Sequence, residues 1–176
     1  MDVKGATYLY TLAGLMITFA GFSALLLAVR PASGARLSQL DKYLAKTVMT
    51  HLFVLTAGAL APPLLALYDV QEARIWRVAA LLFALPMLSL QVTYPFRRRQ
   101  AIGQGPPLAI LAVFVVLGAA VTLAMLAYVL GGFPCAGAAY ITALTADFFT
   151  VTYAFVVALE VILQQPIESP ERPEPR

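Results

Sequence analysis

A chain of 176 residues that is 61% hydrophobic and 12% charged, with mean hydropathy +0.82, departs far from the roughly 25% charged average of soluble domains and reads as an integral membrane protein. Its formal charge of +3 does not point to nucleic acid, because the basic residues flank apolar runs, where positive charge sets topology and attracts anionic lipid headgroups. One cysteine, Cys135, excludes an internal disulfide, a CxxC redox pair and a multi-thiolate metal site, and one histidine, His51, excludes bis-histidine haem ligation or a His-based zinc site within the chain, so neither cofactor nor metal is expected.

The apolar runs predict an all-α, polytopic bundle with five spans, at about 6–29, 43–68, 76–94, 107–130 and 137–164. Residues 1–165 form a single bundle in this reading, with no room for a separate soluble domain. The first span, Ala6 to Val29, has 24 residues without a charge, enough to cross a hydrocarbon core of about 30 Å. Small residues follow at Pro31-Ala32-Ser33-Gly34-Ala35, as at a signal-peptidase site. A signal h-region, however, runs roughly 7 to 15 residues behind a positive n-region, which Met1-Asp2-Val3-Lys4 does not supply. A retained span is therefore expected, with Gly14 and Gly21 on one edge and Ala20, Ala24 and Ala28 on another, spacings that suit close helix packing.

Ser38-Gln39-Leu40-Asp41 has the form of a capping box and predicts a helix beginning near Ser38 that runs into the second span. Pro62-Pro63 should end or kink that helix at Ala61. Trp76 opens the third span, Pro86 kinks it, and Tyr94-Pro95 closes it ahead of a loop that begins Phe96-Arg97-Arg98-Arg99. The fourth span runs from Pro107 to Leu130 and is stopped by Gly131-Gly132-Phe133-Pro134. After the fifth span, residues 166–176 carry four prolines and predict an extended, disordered cytoplasmic tail.

Five spans place the termini on opposite sides, and the positive-inside rule selects the N-terminus outside. In that orientation the inner segments hold nine basic residues, Arg30, Arg36, Lys42, Lys46, Arg97, Arg98, Arg99, Arg172 and Arg176, against three outside, Lys4, Arg74 and Arg77. Tyrosine, tryptophan and phenylalanine residues gather at both boundaries, as aromatic belts do.

The segment Phe19-Ala20-Gly21-Phe22-Ser23-Ala24-Leu25 leading to Arg30, followed by a second span and then Trp76-Arg77-Val78-Ala79-Ala80-Leu81-Leu82, resembles a group of small bacterial multispanning membrane proteins over roughly the first hundred residues. The resemblance implies a multi-pass address in the bacterial inner membrane and brings no activity with it.

The fifth span concentrates the polar residues. An ionisable side chain far from either end of a span costs roughly 3 kcal/mol on insertion scales and faces the bundle interior or a hydrated cavity, which makes Asp147 the leading functional candidate. At about 100° per residue, Tyr140 and Asp147 share an edge with Thr150 about 60° away, while Thr142, Thr145, Thr152, Tyr153 and Glu160 lie nearly opposite. A helix polar on two faces belongs at the centre of the bundle. Asp147 then either bonds a neighbouring helix as structural glue or forms an ion or proton site with Tyr140 and Thr150. His51 lies in the inner half of the second span, roughly 10 Å from Asp147 along the membrane normal, and bonds a carbonyl in the simplest reading. Glu160 sits at the inner interface, where Arg30, Lys46 or the Arg97, Arg98 and Arg99 cluster would pair with it.

No enzyme is expected, since the membrane serines, Ser23 and Ser89, have no nucleophile setting near His51 and no phosphate-binding loop is present. Two functional classes remain. One is a non-catalytic subunit or scaffold that assembles with other membrane subunits. The other is a small homo-oligomeric ion channel or proton-coupled pathway built on Asp147. The lipid bilayer, with anionic headgroups at the cytoplasmic face, is the partner common to both.

Overall fold

The computed structural model describes residues 5–32 and 38–163, and among these every regular element is a helix. The helices are α1 (Ala6–Ala32), α2 (Gln39–Ala66), α3 (Glu72–Ile102), α4 (Leu108–Leu130) and α5 (Ala136–Leu163), each long and apolar enough to cross a membrane. The expected Pro-rich tail at 166–176 lies outside the described residues.

In lipid the backbone must satisfy its own polar groups, so a chain this apolar is confined to helices joined by short turns. Short turns make sequential helices antiparallel neighbours. Here α2 packs on α3, α3 on α4 and α4 on α5, and α5 returns to α2, so these four close an up-and-down bundle. α1 lies outside it, packed along α2. It touches α5 where Tyr8 Oη and Thr145 Oγ1 share a hydrogen bond of 2.9 Å and where the Phe19 ring meets Phe148 and Phe155 edge-on.

The capping box at the start of α2 is present in full: Asp41 N–H donates to Ser38 Oγ at 3.1 Å, and Ser38 N–H donates to Asp41 Oδ2 at 3.0 Å. α2 runs through Pro62 and Pro63 to Ala66, in keeping with the expected span of 43–68, so of the two outcomes expected at Ala61 the helix does not end there; a neighbouring helix supplies the donor that Pro62 lacks, as described below. One expected boundary moves. α3 does not close at Tyr94-Pro95 but runs on through the three arginines to Ile102. There Gly103 takes a left-handed φ of 73° and its N–H caps the Arg99 carbonyl, the conformation glycine adopts without strain.

Between helices in lipid the hydrophobic effect offers little, so close packing and polar contacts do the joining. The glycines expected to serve α1 do not take part: a Cβ at Gly14 or Gly21 would meet no atom within 4 Å. Close approach occurs instead at Gly58, whose Cβ would stand 2.8 Å from the Phe83 ring, and at Gly137, whose Cβ would stand 2.6 Å from the Trp76 indole. These two glycines let α2 and α5 press against the aromatic side of α3.

Candidate functional site

The bundle interior is stacked in three polar or aromatic layers. The layer beside the α4–α5 hairpin is built on Tyr140, a fully buried residue on α5 whose hydroxyl donates to the Gly58 carbonyl of α2 at 2.8 Å. In an α-helix that carbonyl accepts from the amide four residues on, which here is Pro62 and has no N–H. The phenol replaces the missing donor. Trp76 and Phe83 of α3 flank the ring, with centroids 5.6 and 6.0 Å away.

The middle layer holds Asp147, buried completely on α5. Gln91 of α3 donates through Nε2 to Asp147 Oδ1 at 3.3 Å, and Thr122 Oγ1 of α4 lies 2.8 Å from Asp147 Oδ2. The same hydroxyl is 3.0 Å from the Gly118 carbonyl. A hydroxyl has a single proton, so Thr122 cannot donate fully to both acceptors. A proton on Asp147 Oδ2 completes the chain, with the carboxyl donating to Thr122 and Thr122 donating on to Gly118. The cluster can thus hold one proton with these bonds complete.

Gly118 makes the room for this contact, since a Cβ there would stand 2.6 Å from Gln91 Nε2 and 3.4 Å from Asp147 Oδ1. The backbone before it explains how α4 presents both residues. Ile110, Phe114, Gly118 and Thr122 are all buried, at successive steps of four, and in a regular α-helix each such step drifts by about 40°. Residues Leu111–Leu117 form a π-helix, whose wider turns offset the drift and keep the four on the inner face.

The third layer is His51 on α2, Phe114 on α4 and Tyr94 on α3. His51 Nδ1 bonds the Thr47 carbonyl at 2.7 Å, and its ring packs on Phe114 with centroids 4.7 Å apart. Its Nε2 is buried with no hydrogen-bond partner among the described residues. Beside this layer a cavity of about 10 Å³, the size of a single water, is lined by Thr47, Tyr94, Phe114 and aliphatic neighbours.

Of the residues expected around Asp147, none bonds its carboxylate. Tyr140 turns to Gly58, His51 bonds its own helix, and Thr150 Oγ1 donates at 2.8 Å to the Asp147 backbone carbonyl. The carboxylate's partners are Gln91 and Thr122, with Gly118 between them, and the reading of a single helix passed over all three. A signal was present, since Gln91 is the amide side chain in the apolar part of α3 and Thr122 sits four residues after a glycine in the nearly nonpolar α4. At the α2 start and α3 end, exposed Glu160 makes no ion pair with Lys46, Arg97, Arg98 or Arg99, so the expected pairing is not formed with these four. The side chain of Arg30 lies outside the described residues.

Fold and interior together define a multi-pass helical membrane protein whose fifth helix is joined to its neighbours by buried polar contacts. Comparison with protein-family profiles, with curated proteins and with solved structures finds no match to this chain.

Proposed function

We propose that this protein is a non-catalytic subunit or scaffold of a larger membrane assembly, seated in the bacterial inner membrane with its N-terminus outside. The observation that carries this reading is the use made of Asp147: both carboxyl oxygens are engaged by side chains of two other helices, at the depth where a transport site would need them free. The contact is a joint between α3, α4 and α5. Neither the 10 Å³ cavity nor the larger recess at the α2 start and α3 end has Asp147 in its wall. Extraction in a mild detergent followed by native mass measurement tests the proposal. Co-purifying polypeptides of other mass are the expected result, and a closed ring of this chain alone would oppose it.

A second reading, a homo-oligomeric proton or cation pathway, draws on one observation. Gln91 Oε1 is buried beside Asp147 with no hydrogen-bond partner among the described residues, and a proton or water in transit would supply one. Purified protein in vesicles decides between the two. Proton flux that Asp147→Asn abolishes would favour the pathway, and its absence across a range of pH and voltage would leave the scaffold.

A further inference from the structure

At the end of the bundle where α2 begins and α3 finishes, a recess of about 300 Å³ opens between the two helices. Each helix lines it with residues at i, i+3 and i+4, which share one helical face: Tyr43, Lys46 and Thr47 from α2, and Arg97, Gln100 and Ala101 from α3. The lining is rich in donors and contains no carboxylate. Tyr43 is fixed as a wall, since its hydroxyl donates to the Tyr94 carbonyl at 3.2 Å and its ring lies against that of Tyr94.

The recess has cations and no carboxylate in its lining. Lys46 and Arg97 are the charged residues among those that line it. Arg98, next in sequence to the lining residue Arg97, is buried, with Nη1 donating to the Tyr94 hydroxyl at 3.2 Å and Nε without a hydrogen-bond partner among the described residues. Two exposed cations lining one recess with no carboxylate among the lining residues favour an anion, because a cleft lined by one sign of charge focuses its field. The planar fork of arginine and the point charge of lysine together suit phosphate oxygens. The recess also lies where a bilayer carries its headgroups, and Phe96, beside Arg97, is 74% exposed, an apolar surface for the glycerol and upper acyl chain.

We propose that this recess binds the phosphate of an anionic membrane lipid between Lys46 and Arg97. Purified full-length protein in detergent is titrated with phosphatidylglycerol, phosphatidylcholine and inorganic phosphate, and bound lipid is counted by native mass spectrometry alongside melting. The parent should retain phosphatidylglycerol in preference to phosphatidylcholine and gain melting temperature with it. In the double variant Lys46→Gln with Arg97→Gln, affinity should fall about tenfold or more, the loss of charge-assisted bonds worth at least about 1.4 kcal/mol. Arg74→Gln, at the opposite end of α3, should bind as the parent does. Lys46 and Arg97 are both exposed, so each single variant should fold and lose affinity several-fold should the double variant not fold. Equal retention of both lipids, or parent-like binding by the charge-deleted variants, would overturn the site. Displacement of the lipid by millimolar inorganic phosphate would assign the recess to a free phosphate and overturn the lipid as its ligand.

Discussion

A carboxylic acid inside an apolar bundle persists where each of its oxygens meets a donor or carries a proton, because no bulk water is present to solvate it. Asp147 meets that condition through Gln91 and Thr122, and the two contacts make separable predictions. Asparagine at 147 keeps an oxygen for Gln91 and offers an N–H to Thr122, so Asp147→Asn should unfold within about 0.5 kcal/mol of the parent. Asp147→Leu strands both partners and should lose roughly 1 to 2 kcal/mol, in the range of interhelical hydrogen bonds in membranes. Reversible unfolding in mixed micelles measures both, and an asparagine variant as unstable as the leucine one would show that the ionised carboxylate is required. Gly118 supplies the companion test. Gly118→Ala drives a methyl to 2.6 Å from Gln91 Nε2 and should cost about 1 to 3 kcal/mol through overpacking and loss of the amide contact. Gly14→Ala, with nothing within 4 Å, should be neutral or slightly stabilising. Equal melting of the two alanine variants would remove the argument that Gly118 makes room for the amide.

At the scale of the helix, proline and tyrosine are coupled across α2 and α5. Pro62 frees the Gly58 carbonyl and Tyr140 caps it, so Tyr140→Phe should cost about 1 kcal/mol in the parent. In a Pro62→Ala background the alanine N–H restores the bond within α2, and the same Tyr140→Phe change should cost measurably less. A double-mutant cycle reads the difference, and strict additivity would mean that the phenol is not replacing the amide. This coupling was outside what one helix can reveal. Hydropathy located all five helices because a span needs an apolar run of fixed length, yet it placed the end of α3 at Tyr94-Pro95, where the apolar run stops, while the helix continues to Ile102. Hydropathy marks the solvent boundary, and the backbone obeys capping: Gly103, not Pro95, ends α3. Asp147 stood out as a lone charge in an apolar run. Its partners did not, because matching Gln91, Thr122 and Asp147 requires the mutual register of three helices and the π turn of α4, and no periodicity in the sequence encodes either.

For the whole molecule, the arrangement of charge at the two ends of the bundle sets how it is threaded. Lys42 and Lys46 at the α2 start and Arg97, Arg98 and Arg99 at the α3 end gather at one end, while among the described residues Arg74 and Arg77 stand at the other with the hairpin between α4 and α5. Positive charge is retained on the cytoplasmic side during insertion, so that hairpin is expected to face outward. Cys135 makes this testable without any substitution: it is the chain's one cysteine, it lies in the hairpin and is exposed, and its left-handed φ of 61° belongs to the turn that leads into α5. The neighbouring contacts hold the turn in place, with the Tyr128 hydroxyl donating to the Pro134 carbonyl at 2.7 Å and the Tyr128 ring lying on Phe133. A membrane-impermeant maleimide added to intact cells should therefore label the parent, and Cys135→Ser should remain unlabelled. Denatured protein provides the measure of full reactivity, so that slow labelling of a folded thiol is not mistaken for an inward location. Labelling that reaches this measure only after lysis would place the hairpin in the cytoplasm and, with it, invert all five spans and move the basic recess to the outer leaflet.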